Sequence, residues 1–215
     1  MILIINNYTD NVHLGDLDMK ELGRKAQSIS GLPFVVKKFN EVDAQFLKNH
    51  PEIKAVISGG TNSKWDELYF DIFEGEFELM REAKVPVLGI CAGHQLMAMA
   101  YGAGVRRADF GKEERFFQDI TIEKDSILTQ GIKGTVYAFL YHYCYVTELP
   151  EGFELLMSTS KTRIQAMKKI DENKFGVQFH PELDHQAADP FYRARDPKDV
   201  NGEVILKNFL SLVMK

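Results

Sequence analysis

The chain of 215 residues is long enough to bury a substantial core, and we interpret residues 1–215 as a single domain. With 45% apolar residues, 27% charged residues and a net charge of −5, its composition excludes a disordered chain and gives no sign of a nucleic-acid-binding surface. The apolar run at residues 1–5 is too short for a secretion signal and no later segment reaches the length of a membrane span, so we expect a cytoplasmic protein without nucleic-acid or membrane partners.

In the first half of the chain, short apolar runs alternate with segments of helical spacing. Residues 65–83, for example, carry apolar side chains at helical intervals. The alternation predicts an α/β fold with an open, mostly parallel central sheet and helices on both faces, of the flavodoxin-like kind. Such a sheet collects reactive groups at the carboxyl ends of its strands, and Ser58 and Cys91 follow two of them. The predicted strands are residues 2–5, 33–36, 55–57 and 85–90.

After Gly104 the apolar pattern changes to a period near two, which is typical of strands. We therefore expect a strand-rich second half. Residues 202–215 return to helical spacing and predict a closing helix. The predicted strands of this half are residues 119–122, 135–139, 154–158, 163–167 and 175–179.

Cys91 lies between a predicted strand and an alanine-rich helix, in the segment G-I-C-A-G-H-Q of residues 89–95. Glycines two positions to either side permit a tight strand-to-helix turn that projects the thiol above the sheet edge. At a helix N-terminus the thiolate is favoured by the helix dipole, and the amide of Ala92 could stabilise an oxyanion. A small buried cysteine is the alternative, but burial does not require flanking glycines. The second cysteine, Cys144, leaves too few for a disulfide framework or a four-cysteine zinc site.

His180 and Glu182 follow the last predicted strand and are two residues apart. In extended chain such side chains point the same way, and Pro181 stiffens the pair. A carboxylate beside an imidazole fixes its tautomer and stabilises the imidazolium that forms when a cysteine loses its proton. The pattern predicts a triad of Cys91, His180 and Glu182. A packed core histidine beside a solvated acid is the alternative.

The acids and histidines at positions 180–185 are also a set of possible metal ligands. His180, Glu182, Asp184 and His185 do not have the spacing of a helical zinc-protease motif, and the P-C-x-x-C companion of zinc deaminases does not occur. We therefore expect neither a metal nor another cofactor.

The two motifs together resemble those of the class I (triad) glutamine amidotransferases. Residues 89–95 match the family's G-x-C-x-G-x-Q, and residues 180–182 match its late H-P-E. The likeness extends over nearly the whole chain and is greatest to the glutaminase subunits of GMP synthases, judged by residues 6–8, 146–150 and 175–182.

The resemblance implies a reaction and roles for the motif residues. Cys91 would attack the side-chain amide of glutamine, His180 would pass the thiol proton to departing ammonia, and water would hydrolyse the thioester, with Glu182 orienting His180. The resemblance also implies an oxyanion hole made by the amides of Gly60 and Ala92.

The family likeness further implies a glutamine site that includes Gly59 and Gln95. A plain turn or a phosphate-binding loop is the alternative for Gly59, although the aspartate of such loops is absent at residues 61–63. Where the family has S-H-x-D to hold the glutamine backbone, residues 141–144 read Tyr-His-Tyr-Cys, so Tyr141 and His142 would stand at this site. An aromatic strand packed in the core is the alternative for this stretch.

The resemblance implies glutamine as substrate and a separate synthetase chain that accepts the ammonia. A stand-alone cysteine hydrolase acting on a γ-glutamyl or peptide bond, and a catalytically silent binding relative, are the alternatives. Residues 184–201 form an insertion relative to the family that includes Phe191, Tyr192, Arg193 and Arg195. It would serve as a lid or a partner-docking surface, or as an inert surface loop.

Overall fold

The computed structural model describes residues 1–63, 70–107, 115–184 and 199–214. In the first half, strands and helices alternate as β1 (Ile2–Asn6), α1 (Val12–Ser30), β2 (Phe34–Lys38), α2 (Ala44–Asn49), β3 (Ala55–Ser58), α3 (Glu74–Glu82), β4 (Val87–Ile90) and α4 (Ala92–Ala100). The second half consists of β5 (Val105–Arg107), β6 (Arg115–Ile122), β7 (Thr135–Tyr141), β8 (Cys144–Val146), β9 (Phe153–Ser158), β10 (Ala166–Lys169), β11 (Lys174–Val177) and α5 (Gly202–Ser211).

A nine-stranded sheet forms the centre of the fold, in the order β2-β1-β3-β4-β11-β10-β9-β6-β7. The strands β2, β1, β3, β4 and β11 are parallel, whereas β10, β9, β6 and β7 are joined by antiparallel pairings. The α/β prediction is confirmed. The strand-rich second half extends the same sheet, except for β5 and β8, which pair separately.

Hydrophobic cores lie on both faces of the sheet, as the alternating side chains of β1 require. Ile2 and Ile4 pack with residues of α1 and α5 on one face, and Leu3 and Ile5 pack with residues of α3 and α4 on the other. Among the described residues no helix combines the length and the apolar character needed to cross a membrane.

The bounds of several predicted elements differ from the observed ones. The strand predicted at residues 119–122 is found as β6, which begins four residues earlier at Arg115. In the predicted helix of residues 65–83, a 3-10 turn at Phe70–Phe73 precedes α3, and residues 64–69 lie outside the described part. The strand predicted at residues 163–167 is found as β10, which begins three residues later and whose ladder to β9 is irregular between Ala166 and Met167. A period of two in the sequence does not register such a bulge.

Candidate active site

The carboxyl ends of three neighbouring parallel strands meet at one edge of the sheet. Ser58 pairs with Gly89, and Gly89 with Gly176, so the residues that follow β3, β4 and β11 emerge side by side. The amide of Cys91 continues this pairing by donating to the carbonyl of Val177 over 2.8 Å. Segments far apart in the sequence therefore approach one another at this edge.

Cys91 itself makes the sharp turn between β4 and α4. Its backbone has φ 52° and ψ −101°, a conformation that costs a residue other than glycine about 1–3 kcal/mol and that is common at functional sites. The prediction that the flanking glycines supply the turn through their backbone freedom is wrong, because the positive φ belongs to Cys91 itself. A Cβ on Gly89 would lie 2.4 Å from the oxygen of Gly93, and a Cβ on Gly93 would lie 2.3 Å from the oxygen of Ser58. The glycines allow close packing of strand and helix.

His180 and Glu182 form a hydrogen-bonded pair beside this turn. The Nδ1–H of His180 donates to Oε1 of Glu182 over 2.7 Å, and each side chain is 15% exposed. The backbone amide of His180 donates to the carbonyl of Phe139 over 2.8 Å, which fixes the backbone of His180 against β7. Because Glu182 occupies Nδ1, the nitrogen Nε2 is the one left to serve Cys91.

The charge state of His180 depends on both of its neighbours. Burial lowers the pKa of His180, but the negative charges of Glu182 and Cys91, together with its hydrogen bonds to both side chains, outweigh burial and raise the pKa well above its usual value. The imidazole thus lies between a sulfur and a carboxylate, which is the arrangement in which a histidine can serve a cysteine as a base.

Lys25 of α1 holds the turn that carries Glu182. Its ammonium donates to the backbone carbonyl of Glu182 over 2.8 Å and forms an ion pair with Glu203 at 3.1 Å. The sequence alone does not indicate this role of Lys25. The lysine is 157 positions from Glu182, and it lies among other charged residues of an amphipathic helix.

Gly59 and Gly60 follow β3, and Gly60 passes close to Cys91 and His180. The N–H of Gly59 donates to the carbonyl of Ile5 over 3.1 Å. A Cβ on Gly60 would lie 3.1 Å from Cε1 of His180 and 3.5 Å from Cβ of Cys91, so this backbone borders both side chains directly. Ala92, on the other side, is the first residue of α4, and the N–H of a first helical residue has no acceptor within the helix.

Gln95 is 3% exposed, and its amide nitrogen is already bonded. Nε2 donates to the carbonyl of Cys144 over 2.8 Å and to Oε1 of Gln178 over 3.0 Å. Both of its donor hydrogens are therefore used within the protein, and the carbonyl oxygen is the group with which Gln95 could bind a ligand.

The stretch at residues 141–144 borders the active-site opening. Tyr141 ends β7 and is 44% exposed, so the alternative of an aromatic strand packed in the core is wrong for this residue. His142 is buried, with Nδ1 3.0 Å from the carbonyl of Cys144, and the hydroxyl of Tyr143 donates to the carbonyl of Ser63 over 2.9 Å. The tyrosines thus form one wall.

A cleft of about 1260 Å³ joins these groups. It is lined by all the predicted site residues except Gly59, which lies behind it; the lining includes Gly60, Cys91, Ala92, Gln95, Tyr141, His142, His180 and Glu182. Cys91 is 6% exposed and packs in the core, as the buried-cysteine alternative expects, but its side chain also lines this cleft together with His180 and Glu182.

In the described ranges no three acidic, histidine or cysteine side chains are grouped as metal ligands. His185 lies outside the described residues, as does most of the predicted insertion, including Phe191, Tyr192, Arg193 and Arg195.

Comparison with known proteins gives a consistent result. The family model "Glutamine amidotransferase class-I" matches residues 21–197. Among curated proteins, a subunit of the glutamine-hydrolyzing GMP synthase of Methanocaldococcus jannaschii is 31% identical over 97% of this chain and 95% of the relative. The protein of the same name from Sulfolobus acidocaldarius is 32% identical over 94% and 93%. A crystal structure from Thermoplasma acidophilum, described as a proposed subunit of GMP synthase, superposes with a TM-score of 0.76 at 19% identity over 98% of this chain and 92% of that one.

Proposed function

The chain belongs to the glutamine amidotransferase class-I family, and we propose that it is the glutaminase subunit of a two-chain GMP synthase. The family membership makes it an enzyme that hydrolyses the side-chain amide of glutamine. The two curated relatives carry the word subunit in their names and align over nearly their full length, which supports a separate chain as the acceptor of ammonia.

The observation that carries the chemistry is the meeting of Cys91 with the His180–Glu182 pair in one cleft. We assign Cys91 as the nucleophile that attacks the amide carbon, while Nε2 of His180 takes the thiol proton. His180 then returns the proton to the departing ammonia. Water, deprotonated by the same nitrogen, cleaves the γ-glutamyl thioester to release glutamate and restore the thiol.

The negatively charged oxygen of each tetrahedral intermediate needs hydrogen-bond donors that stabilise it. We assign the backbone amides of Gly60 and Ala92 to this task, because they border Cys91 on two sides. Each such donor lowers the barrier by about 3 kcal/mol in comparable hydrolases. Gln95 would contribute its carbonyl oxygen to the binding of glutamine.

Glutamate release and GMP formation test the proposal together. The chain is mixed with the synthetase chain of a GMP synthase, its nucleotide substrates and glutamine, and both products are followed. We expect equal amounts of glutamate and GMP, and no glutamate from Cys91→Ala. Free ammonium in place of glutamine serves as the control that the synthetase is competent. A competent synthetase that never gains glutamine-dependent GMP formation would refute the assignment of the partner.

A second candidate is a stand-alone hydrolase of γ-glutamyl peptides. It is favoured by the exposed Tyr141 at the site where the family has a serine, and by a cleft larger than free glutamine needs. Turnover of γ-glutamyl peptides without turnover of glutamine would select it over the first.

A further inference from the structure

We propose that Glu76 is a positioning residue for the oxyanion hole, acting through Ser58 and Asn7 on the peptide that joins Gly59 to Gly60. The inference rests on the proposed function, since it assigns a determinant of the same site. Glu76 is on α3, remote in sequence from every motif of the triad, and it does not line the cleft.

The first contact in this series joins α3 to the end of β3. Glu76 is fully buried, and the hydroxyl of Ser58 donates to its Oε1 over 2.6 Å. A hydroxyl has one proton, so a Ser58 that donates to the carboxylate offers only its lone pairs to other partners. Glu76 thereby makes Ser58 a hydrogen-bond acceptor.

Asn7, which follows β1, uses that acceptor. Its Nδ2 donates to Oγ of Ser58 over 2.9 Å and to the carbonyl oxygen of Gly59 over 2.9 Å. The two hydrogens of the amide are both used, and the side chain is fully buried. The position of Ser58 therefore fixes the direction from which Asn7 reaches Gly59.

The carbonyl of Gly59 and the N–H of Gly60 belong to one planar peptide and point in opposite directions. Asn7 holds this carbonyl on one side, and the N–H of Gly93 donates to it over 3.2 Å from α4. The groups that bind the carbonyl oxygen of Gly59 therefore set the direction of the Gly60 N–H. A rotation of this peptide would exchange the donor for a carbonyl, and Gly60 has no side chain to resist it.

Stability alone does not explain an acid at this position. Burial raises the pKa of Glu76 to about 7 against the lowering effect of Ser58 and Asn7, and Oε2 of Glu76 and Oδ1 of Asn7 make no hydrogen bond of good geometry within the described part of the chain. Such a group destabilises the fold relative to an apolar side chain of similar size. In its acid or its anionic form, Oε1 can accept from Ser58, so the contact with Ser58 persists at neutral pH.

Two substitutions separate positioning from packing. Glu76→Leu keeps the volume and removes the acceptor, whereas Glu76→Gln keeps a carbonyl oxygen that can accept from Ser58. We expect Glu76→Leu to lower kcat for glutamine by about 10- to 100-fold, less than the loss of a whole oxyanion donor, with KM nearly unchanged. Glu76→Gln should restore most of the rate. Glu78→Leu, an exposed position on the same helix, is the matched control.

Alkylation of Cys91 by iodoacetamide provides a readout that a general loss of structure would move. This reaction does not use the oxyanion hole, so its rate in Glu76→Leu should equal that of the wild type. A wild-type kcat in Glu76→Leu would overturn the inference, and so would a parallel fall of kcat and alkylation rate. Should Glu76→Leu fail to fold, Ser58→Ala interrupts the same chain of contacts and should give the same selective loss of kcat.

Crystal structures of the wild type and of Glu76→Leu make the inference independent of activity. We expect the contact from Asn7 to the Gly59 oxygen to be lost and the peptide to be rotated in the variant. A retained contact would overturn the inference even if the wild type hydrolyses glutamine. A wild type that fails to hydrolyse glutamine, beside a rotated peptide in the variant, would instead overturn only the proposed function.

Discussion

Replacing Glu182 with glutamine tests the electrostatics of the triad without changing its shape. The wild-type carboxylate accepts the Nδ1–H of His180, which leaves Nε2 free to take the thiol proton. The amide of Glu182→Gln can donate to Nδ1 instead and so favour the tautomer whose Nε2 already carries a proton. A fall in kcat of about 10²- to 10⁴-fold is expected, the upper value being that of a serine protease whose triad acid is changed to an amide.

Glu182→Gln also removes the negative charge that lies next to the imidazolium of His180. The carboxylate of Glu182 lies 2.7 Å from Nδ1 of His180 and raises the pKa of His180, so its removal lowers that pKa. Both side chains are 15% exposed, and solvent screening and the remaining hydrogen bond reduce the effect. We therefore expect the His180 imidazolium of Glu182→Gln to lose its proton at lower pH than in the wild type.

The pH dependence of Cys91 alkylation measures this shift. The rate constant of the iodoacetamide reaction is determined between about pH 5 and 9, a range that brackets the usual pKa of histidine, by mass spectrometry of the labelled peptide. The sign follows from the charges: without the carboxylate the pKa of His180 falls, so at neutral pH less of the protein holds the imidazolium that favours the thiolate, and alkylation is slower than in the wild type. Glu82→Gln, on the surface of α3, is the control. An unchanged midpoint in Glu182→Gln, with kcat near wild type, would refute the reasoning.

Three further predictions concern single residues. Iodoacetamide should label Cys91 far faster than Cys144, because only Cys91 faces the His180–Glu182 pair, and equal labelling by mass spectrometry would contradict an activated thiolate. Gly93→Ala should lower kcat by about 10²-fold and also lower the Tm, since its Cβ would lie 2.3 Å from the oxygen of Ser58 and must displace residues 58–60; wild-type kinetics would contradict this contact. Burial raises the pKa of Glu76 to about 7, so the wild type loses stability as pH rises from about 4.3 to about 7, where only the unfolded chain releases the proton. The stability of Glu76→Leu relative to the wild type should therefore increase by up to about 3 kcal/mol from about pH 5 to about pH 8 in thermal unfolding, and an unchanged difference would oppose the buried acid.

The sequence predicts the features that short-range patterns encode. Apolar runs separated by helical segments indicate the parallel strands, because both periodicities are local properties of the chain. Cys91 and the pair at His180 and Glu182 are identified by motifs, and the parallel register then brings the motifs to the same sheet edge. The roles of these residues in the reaction remain predictions that the substitutions above test.

Contacts between distant segments leave no such pattern. Glu76 occupies an otherwise ordinary amphipathic helix, and only the packing of α3 beneath β3 shows that its carboxyl is buried against Ser58. Lys25 likewise resembles a solvated charge until α1 is docked beside the turn at Glu182. The glycines of the cysteine motif are recognised, but the positive φ belongs to Cys91, which sequence spacing cannot distinguish.

The backbone conformation of Cys91 also affects how variants of this protein can be selected for thermal stability and for catalytic activity. A glycine adopts φ 52° without the steric penalty of a Cβ, so Cys91→Gly relieves backbone strain, but it also removes a side chain that is only 6% exposed and packs in the core. A screen that rewards heat resistance does not register the loss of the sulfur, so inactive proteins can pass it at this position. Directed evolution of this scaffold must score turnover in every round.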